Sequence, residues 1–227
     1  MSFSNTRLIA FDLDGTLLKE ESVLELLKLQ ESPAKKLELA KKIIYYTKEK
    51  AIGAATEMNM LSSMLSGMEA EKYRQRIDSF ELMQGADYVA KKLKKEGYAL
   101  AILSDGFLMV ANHVKRKLNF DYVFANELEV KNGILTGKLI TPYNEKMPYS
   151  GCINHNLCKR KVLTDLCRNL KVELKDVVAV GNGTSDICFL DIAGKSIGFN
   201  PNSTIEEIAD VSIKSNDLKD ILPHIIN

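Results

Sequence analysis

Cysteine and histidine are both scarce in this chain of 227 residues, with four and three copies. The cysteines, Cys152, Cys158, Cys167 and Cys188, show no CxxC spacing and are too sparse for a disulfide framework. His113, His155 and His224 share no ligand spacing. Cys152 and Cys158 flank His155, but no fourth ligand stands nearby to complete a tetrahedral metal site. A charge of one sign is missing too: 31 Lys plus Arg against 30 Asp plus Glu leaves +1. Such a balance offers no basic field to nucleic acid or an anionic membrane surface. No apolar run approaches the ~18 residues that span a bilayer. The opening MSFSNTRLIAFDLDG lacks the basic region and long apolar stretch of a signal peptide. Together these absences predict a soluble protein of the reducing cytoplasm, in which the sequons at Asn182 and Asn202 carry no glycan.

What is present suffices for a folded core. Hydrophobic residues make up 45% and charged residues 27%, close to an ordinary globular protein. The length suits one large domain or one domain with a sizeable insertion. From about residue 80 onward, short apolar runs alternate with amphipathic stretches. The runs are YALAILSD (98–105), VVAVGNG (177–183), KSIGFN (195–200) and VSI (211–213). Between them DYVAKKLKKEGY, LMVANHVKRKLN, KRKVLTDLCRNL, SDICFLDIAG and STIEEIAD carry apolar residues at three- and four-residue spacing. This alternation predicts an α/β fold, a Rossmann-like parallel sheet covered on both faces.

The first strand, RLIAFD (7–12), is separated from the rest by a helical block over about residues 19–82. SVLELLKLQ, PAKKLELAKKIIYYTKEK, TEMNMLSSMLS and EAEKYRQRIDSFEL each read as an amphipathic helix, punctuated by Pro33, Gly53 and Gly67. The expectation is a helical cap domain at 19–82, inserted into a core domain of 1–18 and 83–227. Asn132-Gly133, between the alternating segments of FANELEVKNGILTGKLI, predicts a β-hairpin. The polar stretch TPYNEKMPYSGCINHN after it reads as an irregular loop.

Chemistry concentrates at Asp12-Leu13-Asp14-Gly15-Thr16, directly after the first strand. In a parallel sheet, ligands bind outside the carboxyl ends of the strands. Two carboxylates one residue apart can converge there on one ligand. One can attack phosphorus while the other protonates the leaving oxygen and later activates water. Their crowded charge calls for a hard cation such as Mg²⁺, held by oxygen ligands. A lone DxD is common in surface loops, so the assignment depends on its companions.

Those companions occur in order. DLDGT after a first strand resembles the first motif of the haloacid dehalogenase superfamily of phosphatases. Ser104, the lysine Lys159 and the run Gly181-Asn182-Gly183-Thr184-Ser185-Asp186 match its later motifs. The likeness is nearest to the phosphoserine phosphatase branch and covers almost the whole chain, helical cap and hairpin included. It implies Asp12 as nucleophile forming an aspartyl phosphate and Asp14 as general acid and base. It implies Ser104 and the backbone near Gly106 as phosphate binders, Lys159 as their charge partner, and Glu21 as holder of a substrate ammonium. Magnesium would sit among Asp12, the Asp14 carbonyl and position 182, with Asp186 in support or moved inward as a ligand.

Two departures stand out. That branch usually reads GDGAND where this chain reads GNGTSD, so Asn182 replaces an acidic metal ligand and the site loses one negative charge. No arginine occurs between Arg7 and Arg74, so the cap arginine that clamps a serine carboxylate has no counterpart. The resemblance therefore implies a Mg²⁺-dependent phosphatase acting on phosphoserine or a related small phosphorylated metabolite. A phosphotransferase would look identical in sequence, and a weakly active or non-catalytic phosphometabolite binder is the rival reading. Oligomeric state is not legible.

Overall fold

Strand β1 (Arg7–Phe11) is buried from Leu8 onward on both of its faces, which only the centre of a covered sheet allows. The computed structural model describes residues 7–29, 32–34, 37, 41, 54–143, 145, 147 and 155–226. After β1 come the helices α1 (Ser22–Leu27), α2 (Ala54–Ser63), α3 (Ala70–Asp78) and α4 (Ala86–Lys95). Then follow β2 (Tyr98–Phe107), α5 (Leu108–Leu118) and the hairpin β3 (Tyr122–Lys131) and β4 (Ile134–Ile140). The remainder is α6 (Lys159–Leu170), β5 (Val177–Gly181), α7 (Ile187–Leu190), β6 (Lys195–Phe199), α8 (Ser203–Ile208) and β7 (Val211–Ile213).

These strands make one seven-stranded sheet in the order β4-β3-β2-β1-β5-β6-β7. All neighbours are parallel except β3 and β4, which Asn132 and Gly133 join through a turn with φ of 51° and 78°. β1 lies between β2 and β5, so chain order reverses there. A crevice therefore opens beyond the carboxyl end of β1, which is where such sheets bind ligands.

Strand alternation builds the two halves of the core. Ile9 and Phe11 face one layer with Val89, Leu93 and Val110 of α4 and α5. Leu8 and Ala10 face the other with Val162, Leu163 and Leu166 of α6. In α4 the buried residues Ala86, Val89, Ala90 and Leu93 recur at the spacing of a helix face.

The helical segment packs on the first of these layers. Leu26, Leu65 and Tyr73 belong to the same apolar cluster as Phe11 and Phe107. Leu18 pairs antiparallel with Leu82, and the Met83 N–H donates to the Leu17 carbonyl at 2.8 Å, so the chain returns beside its own point of departure. On the far side, Gly67 and Ala70 donate to the carbonyls of Leu135 and Gly133, tying the hairpin to the segment before α3. The expected helix over PAKKLELAKKIIYYTKEK, and most of the loop between Tyr143 and His155, fall largely outside the described residues. Among the described residues, no helix is long and apolar enough to cross a membrane. A 3₁₀ turn at Leu218–His224, not foreseen from the sequence, packs Leu218 and Ile221 into the core.

Candidate active site

The carboxyl end of β1 delivers the DxD pair by strand and turn geometry. The Asp12 N–H extends the parallel ladder to the Val180 carbonyl at 2.8 Å. Three N–H groups, of Thr16, Leu17 and Leu18, then fold back onto the Leu13 carbonyl. Leu13 is driven into the core, and the side chains on either side of it, Asp12 and Asp14, line the same cavity. Its volume is about 560 Å³.

Beneath the cavity lies a buried ionic triad. Lys159, the first residue of α6, places Nζ 2.5 Å from Asp12 Oδ1 and 2.5 Å from Asp186 Oδ1. Its side chain is 1% exposed and that of Asp186 0%, so neither charge is shared with water. Asp186 Oδ2 accepts from the N–H groups of Asn182 and Gly183 at 2.9 and 3.0 Å. Gly181 permits this arrangement, since a Cβ there would lie 2.6 Å from Asp186 Oδ2. Burial by itself lowers the Lys159 pKa, but Asp12 and Asp186 outweigh it and keep the ammonium protonated. Burial, reinforced by the Asp186 charge, raises Asp12 against the pull of Lys159.

Asp14 is the less supported carboxylate. Oδ2 accepts from the Ser22 hydroxyl at 2.9 Å, and the buried Oδ1 has no hydrogen-bond partner. Burial and the neighbouring Asp12 charge push its pKa up to about 8.

A bulge brings the third motif in. Leu103 and Phe107 of β2 pair with Phe124 and Asn126, so Ser104, Asp105 and Gly106 stand opposite a single residue of β3 and are released from the ladder. Ser104 Oγ accepts from the Gly106 N–H at 3.0 Å. Asp105 Oδ1 accepts from Asn126 Nδ2 and from the Leu157 N–H, both at 3.0 Å. That carboxylate thereby anchors the residues leading into Lys159.

Each expected site residue except two lines the cavity. Asp12, Asp14, Glu21, Ser104, Gly106 and Asn182 border it; Lys159 and Asp186 lie behind its wall. Asp186 has both oxygens engaged, whereas Asn182, Gly183 and Ser185 of the same motif line the cavity. Oxygen-bearing side chains that line the cavity there are those of Asp12, Asp14 and Asn182, a chemistry that suits a hard dication. Two carboxylates pushed upward by burial and an orphaned Asp14 oxygen fit a cation as well. Among the described residues no three His, Cys, Asp or Glu side chains cluster as ligands, so a cation held there would also take an amide or carbonyl oxygen.

The model of the haloacid dehalogenase-like hydrolases matches residues 9–191, from β1 through α7. The chain belongs to that family. Its relatives include the phosphoserine phosphatase of Methanocaldococcus jannaschii, 33% identical over 96% of this chain and 97% of that one. The phosphoserine phosphatase of Archaeoglobus fulgidus is 31% identical over 93% of this chain but only 58% of its own length. A solved phospho-aspartyl intermediate analogue of phosphoserine phosphatase superposes with a TM-score of 0.82 at 32% identity, covering 98% of this chain and all of that one. A substrate-bound phosphoserine phosphatase gives 0.79 at 31%, covering 97% and 98%.

Several residues of this haloacid dehalogenase-like site were not legible in advance. Ser22 could have been suspected only as a polar residue at a helix start. Asp105 stands in a Ser-Asp-Gly run that reads as a plain turn. His155, to which the sequence gave no role, lies in the cavity wall. The loop after β6 also reaches the site: the Asn202 N–H donates to the Asn182 carbonyl at 2.9 Å and holds that residue from behind. Long-range pairings of this kind leave no periodic or motif signal.

Proposed function

We propose that this chain is a Mg²⁺-dependent phosphatase that hydrolyses a small phosphomonoester, phosphoserine or a related phosphometabolite, through an aspartyl phosphate on Asp12. The observation that carries this reading is the Asp12–Lys159–Asp186 triad beside the upward-shifted Asp14 at the mouth of the crevice. Lys159 fixes Asp12 through Oδ1, leaving Oδ2 to attack phosphorus. As the Oδ2–phosphorus bond forms, the ester P–O bond breaks and Asp14 gives its proton to the departing alkoxide oxygen. Asp14, now ionised, takes a proton from the water that attacks phosphorus, and Asp12 leaves as a carboxylate. Asp12, the Asp14 carbonyl and Asn182 would hold Mg²⁺, which when bound supplies positive charge to the phosphoryl oxygens.

In this reading residues 19–82 form a cap over a core made of 1–18 and 83–227, and the cap's Glu21 reaches the substrate. Ser104 and the Gly106 N–H turn from each other to phosphate. A small metabolite of the cytoplasm is the partner.

The test is phosphate release with Mg²⁺ from a panel of phosphomonoesters, beside an Asp12→Asn control. Turnover abolished in the control supports the reading; equal rates in both overturn it. Asn182 favours one second reading, a weakly active phosphometabolite binder, because an amide brings no charge to the metal. That reading predicts ligand binding without turnover even at high Mg²⁺.

A further inference from the structure

The charges around the cavity are unevenly distributed. Besides Asp12 and Asp14, two further carboxylates border it, Glu21 and Asp105. Among the described residues Asp105 is held by neutral donors alone, the Asn126 amide and the Leu157 N–H, and no cation there cancels its charge. Among the described residues the Glu21 carboxylate accepts no hydrogen bond; it is exposed toward the cavity and lies near enough to Asp14 to raise its pKa.

Among the described residues, the opposing cations are elsewhere. All six arginines of the chain are described, and none lines the cavity. Arg76 is paired with Glu25 at 2.7 Å, Arg160 with Asp191 at 2.7 Å and Arg168 with Asp165 at 2.9 Å. Arg74 binds Glu71, Arg7 stacks on the Tyr98 ring, and Arg116 lies on α5, away from the site. Lys159 is buried beneath the floor and held by two carboxylates. The rest of the wall on the helical side is apolar, made by Val23, Leu24, Met58 and Leu61. Val23 reaches the Asp14 side of the site: its Cγ2 and Asp14 Oδ2 are both 3.8 Å from the position of a Cβ on Gly106.

We propose that the site selects the phosphate monoester of an amino alcohol without a carboxylate, such as ethanolamine phosphate. Its ammonium pairs with Glu21, its carbon chain lies against Leu24, Met58 and Leu61, and Asp105 repels an acidic substituent. The inference rests on the phosphatase reading above and narrows its substrate. A bidentate guanidinium is what a substrate carboxylate needs, and Glu21 and Asp105 offer it repulsion instead.

The test compares kcat/KM for ethanolamine phosphate, choline phosphate, glycerol phosphate and O-phosphoserine with Mg²⁺, using the full chain and the Asn182→Asp variant. We expect ethanolamine phosphate to exceed phosphoserine by about tenfold or more, the effect of one unfavourable charge contact. Glu21→Gln should reduce the ratio of ethanolamine to glycerol phosphate by about tenfold, and Asp105→Asn should raise phosphoserine relative to ethanolamine phosphate. These are ratios within one preparation, so a partly unfolded variant does not blur them. Phosphoserine turned over as fast as ethanolamine phosphate, or faster, overturns this inference and leaves the phosphatase reading standing. No turnover of any ester by either protein overturns the phosphatase reading and this inference with it.

Discussion

The Asn182 side chain occupies the space that a Cβ on Gly15 would need, its amide nitrogen lying 2.1 Å from that position. The first and last motifs thus meet through a glycine held at φ +71°, a conformation that L side chains rarely adopt. Gly15→Ala should destabilise the fold by about 1–3 kcal/mol, combining backbone strain with displacement of Asn182. Thermal unfolding checks this, and an unchanged melting temperature would contradict it.

Lys159 lies between two carboxylates that have no other cation among the described residues. Lys159→Met should cost about 3–5 kcal/mol near neutral pH, because it leaves buried negative charge unpaired. In the variant the buried Asp12 loses the cation that opposes its upward shift and favours its protonated form in the folded state. Its folded pKa then lies further above the unfolded one, so the deficit should grow as pH rises above about 4. Urea unfolding across pH measures it; a deficit independent of pH would argue against the triad.

Asn182 is the one neutral side chain in the proposed donor set. Asn182→Asp should raise the apparent Mg²⁺ affinity by about tenfold, since site charge governs the binding of hard cations. Calorimetric titration of the substrate-free protein reads this independently of turnover. Equal affinities would mean that position 182 does not hold the metal.

Away from the site, Asp210 Oδ2 accepts from the Ser196 N–H at 2.7 Å and its hydroxyl at 2.8 Å, joining the start of β7 to β6. These bonds hold its pKa below the ordinary value of 3.8. A lowered folded pKa stabilises above the unfolded value, and the gain disappears as pH falls through the folded one. Asp210→Asn should therefore melt lower than the parent above about pH 4, with the two curves converging below it. Parallel curves throughout would contradict the assignment.

Much of the fold was legible because its signals are local. The apolar runs at 7–12, 98–105, 177–183 and 195–200 mark strands whose burial on both faces leaves no alternation to misread, and 211–213 marks a half-buried edge strand. Asn132-Gly133 fixed the hairpin through the positive φ that both turn positions require. The site was legible where motifs follow strand ends, at Asp12, Asp14, Ser104 and Asn182. The roles of Ser22, Asp105 and Asn202 were not, because each depends on a partner brought close only by the fold. Asp186 shows the same limit from the other side. Its spacing suggests a ligand, whereas its two oxygens bind Lys159 and two N–H groups.

The measurement that bears most directly on the account is acid quenching during turnover of a phosphomonoester with Mg²⁺, followed by peptide mass spectrometry. The account predicts one phosphoryl group on Asp12, appearing before free phosphate and missing from the Asp12→Asn variant. Phosphate release at an undiminished rate by that variant, or a phosphoryl group on another residue, would contradict it.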